Sequence, residues 1–318
     1  MFEHGRWHWY AWNFQFLAEG RETGFVRHIM DALLACDAHL SGFAAAFFDG
    51  IADIGGREKD LPQYEQLLQR LAELYVIHRV VTYPWPGGAA FQWEPTAPGG
   101  RRNPELTVAT EGALVGIEVK APALADHAAR RGTLPTQLPT RGPLLGTPIA
   151  PDRASVTLPR DYPVRDFLVS AAQKFGPFRS ADPSFVGVLV VVWDDFAYEA
   201  VGPLVNPQSG LLTPNSFAQA KGGTALTFPG VDCVVVTRRL HEFVRAAAGI
   251  NAPKDGRHFL DYERAGLNAF LPTPGGRAVP AAVCDCLLAA PLSPALGAEF
   301  VASDVVMWFD TGVRPRGG

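Results

Sequence analysis

Apolar and polar positions alternate between two periods along this chain, and the switches mark its elements. Leu61–Arg79 has apolar residues at Tyr64, Leu67, Leu68, Leu71, Leu74 and Tyr75. That is the i, i+3, i+4, i+7 pattern of an amphipathic helix, and Pro62 suits its first turn. Three segments of strand character follow: Ile77–Tyr83, Pro104–Ala109 and Ala113–Lys120. Thr110-Glu111-Gly112 reads as a tight turn joining the last two. Val164–Phe175 predicts a helix, and Phe185–Trp193 is a continuous β-branched run, as in a strand buried on both faces. Val231–Thr237 predicts another such strand, followed by a helix over Arg239–Ala248.

The flanks are less regular. Gly24–Phe48 is rich in Ala and Leu and reads as helical, while the aromatics at 10, 12, 14 and 16 alternate like a strand face. These aromatics are read as packing residues first, and as a partner surface second. Ala121–Arg160 carries seven prolines and predicts a long irregular insertion. Strand or helix is expected at Ala281–Ala290 and again at Phe300–Phe309. The expected organisation is an N-terminal helical and aromatic extension (1–60), an α/β core (61–250) with the proline-rich insertion (121–160), and a C-terminal extension (251–318).

Composition narrows the class. The 318 residues are 47% hydrophobic and 19% charged, which excludes global disorder. A net charge of −4 argues against a polybasic nucleic-acid binder. The average hides a local bias, because residues 95–180 hold 11 Lys and Arg against 7 Asp and Glu. None of Cys36, Cys233, Cys284 and Cys286 lies in a CxxC pair, so reduced thiols and a cytoplasmic setting are expected. No segment reaches the length of a membrane-spanning helix, and no GxSxG elbow or Walker loop is present.

The chemistry-bearing stretch is Pro104-Glu105 and, 13 residues after that glutamate, Glu118-Val119-Lys120. Strand alternation sends Val115, Ile117 and Val119 to one face, and Glu118 and Lys120 to the other. An antiparallel hairpin brings Glu105 beside Glu118. Two close carboxylates repel unless a cation lies between them, and hard oxygen donors suit Mg²⁺, with Mn²⁺ as a substitute. Lys120 then orients a water or steadies phosphoryl charge. The plainer alternative is a surface hairpin with a Glu118–Lys120 pair and a solvated Glu105.

These residues resemble the PD-(D/E)xK nuclease superfamily, with Glu at 105 where Asp is commoner. Tyr64-Glu65 on the preceding helix resembles a further element of that pattern. Glu65, at the border of the apolar stripe, is preferred over Glu73, which lies opposite the stripe. The resemblance covers about residues 61–195. It implies a restriction-endonuclease-like mixed central sheet flanked by helices, with N- and C-terminal additions. It implies catalysis by Glu65, Glu105, Glu118 and Lys120, and metal binding by Glu105, Glu118 and the Val119 carbonyl. Gln173 or Lys174 supplies a polar group from the following helix. The implied activity is Mg²⁺-dependent hydrolysis of nucleic acid, DNA before RNA, in restriction, phage defence or repair. Arg101, Arg102, Arg130 and Arg131 are the expected phosphate contacts. An activating protein partner or a homo-oligomer, and no membrane, complete the expectation. His127 is a weaker candidate base, and Asp194-Asp195 a weaker second metal locus. The other reading is a non-catalytic nuclease-like scaffold that binds a protein or nucleic acid.

Overall fold

Asp60 opens the longest helix by accepting a hydrogen bond from the Gln63 amide. The computed structural model describes residues 8–21, 23–55, 60–97, 100, 102–134, 136–138, 140–141, 156–247, 260–292 and 306–307. In chain order the described elements begin with α1 (Trp9–Phe14), α2 (Gly24–Asp37), α3 (Phe43–Ala52) and α4 (Leu61–Thr82). β1 (Ala90–Trp93), β2 (Leu106–Thr110), β3 (Ala113–Lys120), α5 (Ala125–Thr133) and β4 (Thr136–Gln137) follow. Next come α6 (Asp161–Ala181), β5 (Phe185–Trp193), α7 (Tyr198–Val205), β6 (Cys233–Arg238) and α8 (Leu240–Ala247). The last are β7 (Asn268–Pro272), α9 (Ala281–Cys286), β8 (Ala289–Pro291) and β9 (Val306–Met307).

The chain is a mixed α/β protein. Seven strands form one sheet in the order β1-β2-β3-β5-β6-β7-β8. β1, β2 and β3 make an antiparallel meander, β3, β5 and β6 run parallel, β7 is antiparallel to β6, and β8 is parallel to β7. β5 is buried along its whole length, as its unbroken apolar run requires. Among the described residues no helix is long and apolar enough to cross a membrane.

Two compact units result. The sheet of seven strands, α4 and the N-terminal helices belong to the first (Met1–Ala123, Asp166–Ala197, Thr227–Phe300). The second draws on Leu124–Arg165, Tyr198–Leu226 and Val301–Gly318. These units cut across the boundaries expected at 60 and 250.

Several expected elements are corrected. Ile77–Tyr83 is not a strand; it is the last turns of α4, where Val76, Ile77, Val80 and Val81 are all buried. Packing around the helix outweighs the strand preference of β-branched residues. The first strand of the meander is β1 instead. The aromatic alternation at 10–16 is helical at its start: Tyr10 and Phe14, four apart, are buried with Trp9, while Trp12 faces solvent. Trp9 packs edge-on against Phe25 at 5.3 Å, so these rings serve the core. Gly42, at φ +83°, divides the expected Gly24–Phe48 helix into α2 and α3. The insertion is not structureless, since α5 forms over Ala125–Thr133, a stretch without proline that begins after Pro122. Ala281–Ala290 divides into α9 and the start of β8, and only β9 of Phe300–Phe309 falls within the described residues.

One close approach sets the position of α6. Gly116 and Gly187 are register partners on β3 and β5. A Cβ on Gly116 would stand 2.4 Å from Phe185 and 3.2 Å from Phe175, and one on Gly187 would stand 2.0 Å from the Gly230 carbonyl and 2.6 Å from Phe175. Glycine at both places lets the Phe175 ring of α6 settle against the sheet. Gly187→Ala is expected to lower stability by about 1–3 kcal/mol, because backbone must move to admit the methyl. Chemical denaturation measures it, and an unchanged midpoint would contradict this packing.

Candidate active site

The β2–β3 hairpin builds the site. Its turn carries Gly112 at φ +87°, a conformation glycine adopts without strain. Leu106 pairs with Ile117, so Glu105, one residue earlier, comes opposite Glu118. Val115, Ile117 and Val119 are buried on one face of β3, and Gly116, Glu118 and Lys120 alternate with them on the other. Glu118 is 0% exposed and Glu105 is 9% exposed. Neither carboxylate is solvated, which departs from the plainer surface-hairpin alternative, although the Glu118–Lys120 pair of that alternative is present.

Phe175, seated over the two glycines, carries its neighbour Lys174 to this face. The Lys174 ammonium lies 2.7 Å from Glu118 Oε1, 2.8 Å from Oε2 and 3.5 Å from Glu105 Oε1. Lys120 Nζ lies 2.6 Å from Glu118 Oε1. That oxygen is buried and makes no directed hydrogen bond, so charge attraction alone holds the ammonium groups at it. One ammonium thus bridges both expected carboxylates, and the expected lysine stands beside it.

The electrostatics follow from burial. Loss of solvent pushes the Glu105 carboxyl up to about 7, and the charges of Glu73 and Glu118 add to that, against Lys174 and Lys120. Burial likewise raises Glu73, opposed chiefly by Arg70. Burial works against the Lys174 charge, but Glu118 and Glu105 outweigh it and raise its pKa.

Glu73, placed second to Glu65 by the sequence, is an α4 carboxylate whose charge acts on Glu105. It pairs with Arg70 at 2.7 Å and is coupled to Lys120, Glu118 and Glu105. Glu65 lies two turns earlier, roughly 12 Å along the helix axis, and is not among the leading charges acting on Glu105. α4 is buried nearly all round from Leu71 onward, so its apolar stripe does not by itself separate Glu65 from Glu73. The missed signal was a charged i, i+3 pair, Arg70 and Glu73, within that apolar stretch.

The remaining candidates divide. Gln173 is exposed and accepts a hydrogen bond from Arg102, so these two occupy each other beside Lys174. Arg101 lies outside the described residues. Arg130 is exposed on α5. Arg131, expected as a phosphate contact, instead donates to the buried Glu199 at 2.9 Å, within the second unit. His127, expected as a base, lies 3.0 Å from the same carboxylate and is buried there. Burial disfavours the Glu199 charge, but His127 and Arg131 hold its pKa below the usual range. Asp194 accepts the Phe196 amide at 2.9 Å, a turn-forming bond, and Asp195 faces Arg238 at 3.7 Å.

Among the described residues no three His, Cys, Asp or Glu side chains are grouped to hold a metal ion by themselves. Comparison with protein-family models, with characterised proteins and with solved structures finds no match in any of the three.

Proposed function

We propose that this protein is a Mg²⁺-dependent nuclease of restriction-endonuclease-like fold, acting on DNA in preference to RNA. The observation that carries the reading is the convergence of Glu105, Glu118, Lys120 and Lys174 on one buried spot at the end of a hairpin. The element order supports it: α4, the antiparallel meander β1-β2-β3, α6, then β5 parallel to β3. A cytoplasmic setting in restriction, phage defence or repair accords with that reading.

The donor set fits the ion. Glu105 and Glu118 offer hard oxygens, and the Lys120 and Lys174 ammonium groups lie against Glu118 Oε1. Glu105, Glu118 and the Val119 carbonyl would hold Mg²⁺, which supplies Lewis-acid activation of water and of the phosphoryl oxygen. Lys120, on the same strand face as Glu118, orients the attacking water. Lys174 neutralises charge that builds on the phosphoryl oxygens in the transition state. Glu73 keeps the Arg70 guanidinium in place and adds negative potential that favours a dication.

The test is cleavage of plasmid, single-stranded DNA and RNA by the full chain, with Mg²⁺, with Mn²⁺ and with chelator. Metal-dependent cleavage of DNA is expected. A second reading, a non-catalytic nuclease-like scaffold, is favoured by one observation: Lys120 and Lys174 already neutralise Glu118 without a metal. Absence of cleavage on every substrate with either metal would decide for the scaffold. Within the nuclease reading, Glu73→Gln is expected to lower the cleavage rate by about 10-fold or more, and Glu65→Gln to leave it nearly unchanged. The reverse ranking would restore Glu65 as the residue contributed by α4.

A further inference from the structure

The first unit holds a second group of buried polar side chains, sharing no residue with the Glu105–Glu118 cluster. Tyr75 comes from α4, Thr237 from β6, Arg239 from the residue after β6, and Tyr262 from the segment before β7. Their exposures are 0%, 0%, 3% and 2%. The Tyr75 and Tyr262 rings stack with centroids 4.6 Å apart, and the Arg239 guanidinium lies 5.5 Å from the Tyr75 ring centroid. Thr237 and Arg239 both act on the Tyr75 hydroxyl, and Arg239 acts on that of Tyr262.

Four polar atoms of this group make no well-directed hydrogen bond, the Tyr75 and Tyr262 hydroxyls, Thr237 Oγ1 and Arg239 Nε, although Thr237 and Arg239 lie close enough to the Tyr75 hydroxyl to lower its pKa by hydrogen bonding. Arg239 Nη2 donates to the Asp261 carbonyl at 2.6 Å, and among the described residues no carboxylate pairs with this guanidinium. Buried polar atoms are ordinarily matched, and a buried cation without a counter-charge is costly. The Tyr75 hydroxyl can accept from Thr237 and Arg239, which leaves the Tyr262 hydroxyl, Arg239 Nε and the guanidinium charge as the groups that lack a match.

The place in the fold agrees. The Arg239 amide bonds the Trp193 carbonyl at 2.7 Å, which fixes this residue at the carboxyl ends of the parallel strands β5 and β6. Open α/β sheets bind ligands at that edge. Burial pushes the Tyr75 hydroxyl up to about 12 and raises that of Tyr262, so both remain protonated donors at neutral pH.

We propose that Tyr75, Thr237, Arg239 and Tyr262 form a binding site for a small oxyanion of the phosphate or carboxylate class. The anion balances the Arg239 charge and accepts from the hydroxyls. A water cluster would satisfy the hydroxyls but leave the charge unmatched.

Calorimetric titration of the full chain with inorganic phosphate, and separately with acetate, at constant ionic strength tests this. One saturable site is expected for at least one of the two anions, and the pair of titrations shows which class is preferred. Arg239→Gln is expected to weaken that binding at least 10-fold, and Tyr262→Phe and Thr237→Val by about 2- to 10-fold each. A Lys120→Gln, Lys174→Gln double variant is expected to bind as the wild type does, which separates this site from the cationic pair on β3 and α6. Absence of a saturable site for both anions overturns the proposal. So does loss of binding in the double lysine variant with retention in Arg239→Gln. Should Arg239→Gln not fold, the two volume-conserving variants decide, and unchanged affinity in both overturns it.

Discussion

Glu118→Gln is expected to reduce metal-dependent cleavage by roughly 10²–10³-fold or more while leaving the chain folded. The substitution keeps the shape of the side chain and removes its charge. Glu118 is fully buried, and both ammonium groups of the site rest against its Oε1, at 2.6 and 2.7 Å. On the proposed reading a bound metal would lose a ligand without that carboxylate, and two like charges would remain to repel any dication. Lys120→Ala should lower the rate comparably through a different route, since the carboxylates stay and only the water-orienting ammonium goes. Steady-state cleavage compared at matched circular dichroism measures both. Wild-type rates in the two variants would sink the site assignment; wild-type metal affinity in Lys120→Ala alongside lost turnover would support the division of roles.

The elements that place this site were legible where periodicity was strict. Ala113–Lys120 and Phe185–Trp193 form strands with those bounds, because alternation in the first and an unbroken apolar run in the second leave little choice. Glu105, Glu118, Lys120 and Lys174 were legible for the same reason, as strand faces and the following helix bring them together. The failures share a cause: partners distant in sequence change what a local pattern means. Val76, Ile77, Val80 and Val81 resemble a strand until α4 is surrounded, and the same surroundings turn Glu73 towards the site. Arg131 resembles a solvent-facing phosphate contact, but its partner Glu199 lies 68 residues on. Gly116 and Gly187 carry no signal individually. Only the register of β3 with β5 makes them a seat for Phe175, and hence the device that aims Lys174.

Lys174, aimed by that seat, lies against both carboxylates and offsets part of their repulsion; the part left over sets the last expected result. Glu105→Gln should stabilise the metal-free protein at about pH 8 while abolishing cleavage. The Glu105 carboxyl titrates at about 7 in the folded chain, raised by burial and by Glu73 and Glu118, whereas an exposed glutamate titrates near ~4.3. Between these values the folded state keeps a proton that the unfolded state has released. Stability therefore falls as pH rises: the group's contribution is complete below about 4.3 and is lost by the time pH passes about 7. The difference is on the order of 4 kcal/mol, and glutamine, which never ionises, removes it. Melting temperatures of wild type and Glu105→Gln in chelator, from about pH 5 to about pH 8, report Glu105 together with the neighbours whose charges it feels, Glu73, Glu118 and Lys174. Parallel curves would mean that Glu105 is not perturbed. Diverging curves that Mg²⁺ brings together, by stabilising the wild type alone, would identify the charge on Glu105 as one the fold tolerates in order to bind a dication.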